Sequence, residues 1–167
     1  MTELDEQIKN VCSIRAIVEA IPSIDFIDFE DIQPMTIVQD MWSVIKQTSS
    51  IFSGVAVLIS SHDTVARNEI RDAEISDIFS LVNLSLGNME SRADIVETQL
   101  FKWLELGEEV ANSQLRAATV RCIVHKILMC YNEVLKISVE SSEKLCILLE
   151  QNRSNIYGSN TNIDLYS

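Results

Sequence analysis

Apolar residues recur at three- and four-residue steps through most of this chain, and the repeat is densest between Pro34 and Ser61. There Met35, Val38, Met41, Trp42, Ile45, Phe52, Val55, Ala56 and Ile59 make one stripe, while Ile37, Val44, Ile51 and Leu58 recur every seventh residue on another side. Pro34 suits the first position of a helix, where an N–H has no intrahelical partner to lose. Because Asp40 and Lys46 are the only charges in the stretch, the pattern predicts a helix apolar on most of its circumference. Such a helix is buried, or it meets a membrane. The charge-free run 47–61 is fifteen residues long and holds Gln47, Thr48 and several serines, short of the roughly 20 apolar residues a span requires. The expectation is a central core helix wrapped by amphipathic neighbours.

The neighbours are legible on both sides. Thr2 is a good N-cap with Asp5 three residues on, and Glu3 and Glu6 place negative charge where a helix dipole favours it. Leu4, Ile8, Val11, Ile14, Val18 and Ile21 then form one stripe, which Pro22 ends. The following segment, 23–33, interleaves Ile24, Phe26, Ile27, Phe29 and Ile32 with Asp25, Asp28, Glu30 and Asp31 and fits neither period. We expect an acidic-aromatic connector lying on the domain's own core, with Phe26 and Phe29 as candidate partner contacts. Ser61-His62-Asp63 reads as a turn, and 64–74 as an exposed turn of helix. Ile75, Ile78, Phe79, Val82 and Leu86 make a further helix that Gly87 would finish in a left-handed conformation. Asn88 would cap the next, which carries Met89, Ala93, Val96, Leu100, Trp103 and Leu104 on one side. Trp42 and Trp103 are both expected as core anchors. From Ser113 onward, Val120, Val124, Ile127, Tyr131, Val134, Ser138, Leu145 and Leu149 hold helical phase over about 39 residues, about 58 Å at 1.5 Å per residue. A helix of that length either kinks near Ser138–Ser142 or projects its far end.

These elements predict an all-α protein: an antiparallel helical bundle of four to five helices around a central hydrophobic helix, with a long C-terminal helix. Its 167 residues suit one domain, assigned to 1–152, and the polar stretch 153–167 reads as a flexible tail. Four glycines and two prolines are too few turn-formers for a many-stranded sandwich.

Charge changes the picture of partners more than of fold. The net charge of −12 is uneven: residues 1–34 hold eight acids and two bases, 62–112 eleven and four, and 113–167 five and six. An acidic surface repels phosphate backbones and anionic lipid heads, so nucleic acid is disfavoured as a partner. The cysteines Cys12, Cys122, Cys130 and Cys146 are scattered with no Cys-x-x-Cys pair, and the acidic N-terminus has no apolar leader pattern. Both features point to a reducing, cytoplasmic setting in which free cysteines act as small apolar residues.

Candidate chemistry is thin. The two histidines, His62 and His125, accompany no catalytic motif. Cys122, His125 and Cys130 share one side of the last helix, but no second ligand pair has matching spacing, so a packed core face is the expectation and no metal or other cofactor is called. Glu105, Glu108 and Glu109 form the densest carboxylate cluster and are candidate contacts for a basic partner. Lys144 and Leu148, toward the far end of the last helix, are candidates for a helical partner or a second copy. The plan of a nearly all-apolar helix sheathed by amphipathic ones resembles cell-death-regulating bundles and helical pore-forming proteins in architecture, and no motif of either is present. The resulting expectation is a non-enzymatic protein-interaction domain, with a membrane-active protein as the alternative.

Overall fold

A computed structural model describes residues 2–21, 34–60, 72–106 and 113–166, with side chains on the last two stretches over 74–106 and 117–151. The chain is all-α. The described residues form four helices in order: α1 (Glu3–Glu19), α2 (Pro34–Ser60), α3 (Asp72–Leu106) and α4 (Ser113–Tyr166). The expected connector 23–33, the turn at Ser61–Asp63 and the carboxylates Glu108 and Glu109 lie outside the described residues.

The local signals at the first two helix starts act as the sequence reads. Thr2 caps α1: its hydroxyl accepts from the Asp5 backbone N–H at 3.1 Å, while Asp5 accepts from the Thr2 backbone N–H at 3.3 Å. This reciprocal pair satisfies two donors that a bare helix start leaves open. Pro34 occupies the first position of α2.

The core divides into two apolar clusters that together fix the direction of every helix. One joins Ile37–Ile45 of α2, Met89–Val96 of α3 and Ile123–Val134 of α4. The other joins Leu4–Ile14 of α1, Phe52–Ile59 of α2, Ile78 and Val82 of α3, and Leu145 and Leu149 of α4. Chain order therefore runs toward the first cluster along α1 and α3 and away from it along α2 and α4, an up-down-up-down bundle. Val18 and Ile21 carry the end of α1 onto the first cluster. α2 and α4 each pack against all three other helices. α1 and α3, on the opposite diagonal, hardly meet.

Between the clusters lies a waist of small hydroxyl residues. Thr48, Ser85, Ser138, Ser141 and Ser142 are all buried, and each falls on its own helix between the last residue of one cluster and the first of the other. Thr48 and Ser138 share a hydrogen bond of 2.7 Å between their hydroxyls. Ser141 donates back to the Ile137 carbonyl and Ser142 to that of Val139, so these hydroxyls are satisfied within the fold as burial demands. Small side chains at Thr48 and Ser138 are what allow α2 and α4 to touch across the centre.

Three expectations change. α3 runs unbroken through Gly87, so the two helices expected around that residue are one, and the described residues form four helices, within the expected four to five. α4 is one continuous helix across Ser138–Ser142, and its buried residues reach as far as Leu149. The stretch from Ile123 to Leu149 spans about 39 Å and α2 about 40 Å, which matches the two lengths. α4 is helical to Tyr166, and the expected tail lies where its side chains are outside the described residues. Finally, α2 is central but sealed on one side only: Ile37, Val38, Met41, Val44, Ile45, Phe52, Val55, Leu58 and Ile59 are buried, while Trp42 is 40% exposed. The two stripes read in the sequence merge into one broad inward face, and Trp42 falls just off it.

Candidate functional site

The outer face of α2 is the most unusual surface in the described structure. Met35, Gln39, Trp42, Lys46, Ser53 and Val57 are all exposed, and at 100° per residue they fall within a strip along one side of the helix. Lys46 is its only charge. Val57 is 69% exposed and Met35 43%. In a chain of net charge −12, a strip of about 33 Å with no carboxylate is a local break in the acidic surface. α3 adds scattered exposed apolar residues, Leu84, Ile95, Phe101 and Leu104.

A second locus is the seam between α1 and α4. Cys12 and Cys146, 134 residues apart, form a disulfide with Cα atoms 6.2 Å apart, inside the range such bridges need. The expectation of four free cysteines fails for this pair, because sequence spacing cannot show that two helices meet. One turn along, the Arg15 guanidinium donates to Glu19 and to Glu143 of α4, each at 2.9 Å. The Glu19 hydrogen bond and charge, followed by the Glu143 charge, raise the Arg15 pKa further above its ordinary value. An open cleft of about 410 Å³ lies over this seam, lined by Cys12, Arg15, Ser142, Glu143, Cys146 and Ile147. The sulfurs of Cys12 and Cys146 and a carboxylate oxygen of Glu150 lie within 4.8 Å of one another. With the sulfurs bonded to each other, this set offers a metal a single carboxylate.

A third, open cleft of about 530 Å³ lies between the end of α3 and the start of α4, lined by residues that include Gln99, Lys102, Glu105, Cys122 and Lys126. Its charges are mixed. Glu105 is thus an exposed wall of a groove shared with two lysines, while Glu108 and Glu109 lie outside the described residues with Phe26 and Phe29. Lys144 is exposed on α4. Leu148, one turn on, is half-buried and packs on the second core cluster. Cys122 and His125 are exposed and Cys130 is buried, so only Cys130 belongs to the packed face expected for all three. Burial first, and the Glu133 charge second, push the Cys130 thiol up, against a smaller opposing effect of Arg92. Trp103 is half-buried against the first cluster, as its stripe predicts.

No family model, curated protein or solved structure matches the chain. The functional reading therefore rests on these surfaces. The sequence does not disclose the α2 strip, because an almost charge-free helix gives no charged side by which to orient it. The only available signal was the uncharged set Gln39, Ser43, Gln47, Ser50 and Ser53 recurring opposite the buried stripe.

Proposed function

We propose that the protein is a non-enzymatic, intracellular interaction domain that binds a helical protein partner, a second copy of the chain included, through the outer face of α2. The observation that carries this is the one-sided burial of α2, which leaves Met35, Trp42 and Val57 exposed along a strip free of carboxylates. Trp and Met are enriched at the cores of protein interfaces, and a straight helical strip with anchors at turn spacing suits another helix laid beside it. The test is sedimentation velocity over a range of concentrations, together with affinity capture, using wild type, Trp42→Glu and Val57→Glu. Association or partner capture that falls at least tenfold in both variants, with circular dichroism unchanged, supports the reading. A wild-type monomer whose capture profile neither variant alters overturns it.

A second reading has its own observation. α2 is the one described helix long and apolar enough to cross a membrane by length and composition, and 39% of its most apolar window is buried. A membrane-active protein would release this helix into lipid when mild acid protonates carboxylates and weakens repulsion from anionic headgroups. Dye-loaded anionic liposomes that stay sealed at mildly acidic pH remove this reading.

A further inference from the structure

We infer that Cys12–Cys146 is a reversible thiol-exchange site, whose ligand is a small thiol of the glutathione class and whose closure fastens α1 to the bundle. The inference is independent of which partner α2 binds.

Accessibility comes first. Cys12 is exposed and Cys146 half-buried, and the open cleft over the seam reaches both. A thiolate can therefore approach the Cys12 sulfur from solvent, as exchange requires. Its attack forms a mixed disulfide on Cys12. The electron pair of the broken S–S bond leaves on the Cys146 sulfur, which takes a proton from water. A second small thiol then attacks the outer sulfur of the mixed disulfide, freeing Cys12 as a thiol and releasing the oxidised dimer of the reductant. Two small thiols are consumed, one small disulfide is produced, and the reverse sequence closes the bridge.

Consequence follows from what holds α1. It is the shortest of the described helices at 17 residues, and it buries four side chains, Leu4, Ile8, Val11 and Ile14. Beside the bridge, one polar tie to α4 among the described residues is Arg15–Glu143, with side chains 62% and 47% exposed, and an ion pair so open to solvent holds little. Opening the bridge removes the covalent tie and leaves α1 held by its apolar face and the exposed Arg15–Glu143 pair. Phe52, Val55, Leu58 and Ile59 of α2, with Leu145 and Leu149 of α4, share the cluster that this face covers. In a reducing compartment the pair stands open, and oxidation closes it, the behaviour of redox-sensing cysteines.

The experiment uses the full chain, equilibrated with reduced or oxidised glutathione, then unfolded in iodoacetamide and weighed intact. Cys122 and Cys130 are free, so the oxidised sample should carry two labels and the reduced sample four. Hydrogen exchange on the same two samples should show amides of α1 exchanging at least tenfold faster after reduction, with α3 amides between Met89 and Val96 little changed. Four labels in oxidised glutathione, or identical α1 exchange in the two forms, overturns the inference.

Discussion

Replacing Gly87 by alanine tests the architecture through the sign of its effect. Gly87 lies inside α3, its side is exposed, and a Cβ built on it meets nothing within 4 Å. A glycine in a helix interior is less favourable than alanine by about 0.5–1 kcal/mol, because it loses more backbone freedom on folding. Gly87→Ala should therefore stabilise by about that amount, a rise in Tm of about 1–4 °C for a domain of this size. If Gly87 instead ended one helix in a left-handed conformation, a Cβ there would cost about 1–2 kcal/mol, and Tm would fall. The measurement is urea and thermal unfolding followed by circular dichroism, both proteins with the Cys12–Cys146 bridge closed. A lower midpoint for the variant, at equal urea dependence, would refute a continuous α3.

Three further outcomes are expected. Thr48→Val and Ser138→Ala should each destabilise by about 1 kcal/mol, with the double variant losing clearly less than the sum, since each single change strands a buried hydroxyl; additive losses in urea melts would show that the bond contributes nothing. Tyr131→Phe should be neutral or stabilising by up to about 2 kcal/mol, because this buried hydroxyl has no hydrogen-bond partner among the described residues. A loss above about 1 kcal/mol would mean that the hydroxyl is in fact held. Native labelling with a thiol reagent at pH 8 should modify Cys122 at once and Cys130 only as the chain unfolds, since burial both hides the latter and keeps it protonated; equal rates would contradict the packing of the first cluster.

The fold was legible where local chemistry and periodicity agree. Thr2 with Asp5, Pro34, and the long stripe from Val120 to Leu149 each state an element or its boundary without reference to the rest of the chain. Gly87 misled because glycine serves equally as a helix end and as an unremarkable exposed position, and only the helices packed on either side of it decide. Ser138–Ser142 misled for a related reason: a run of small polar residues reads as a weak point, yet here it is the spacing device between two apolar clusters. The surfaces were harder still. Trp42 sits on a helical stripe in the sequence, but a helix apolar nearly all round can be rotated several ways, and contact with α1, α3 and α4 selects one. Cys12 and Cys146 could not be paired from spacing, since their approach depends on α1 returning alongside α4.

The contact between Thr48 and Ser138 also sets the cross-section of the bundle. Two opposite helices that touch while the other two stand apart make a rhombus, with α2 and α4 on its short diagonal and α1 and α3 at its distant corners. The outline is thus governed by two hydroxyl-bearing side chains of minimal bulk. Enlarging either would lengthen the short diagonal, draw the distant corners together and square the section, so that a substitution hidden at the centre would be read out as a change of shape at the rim.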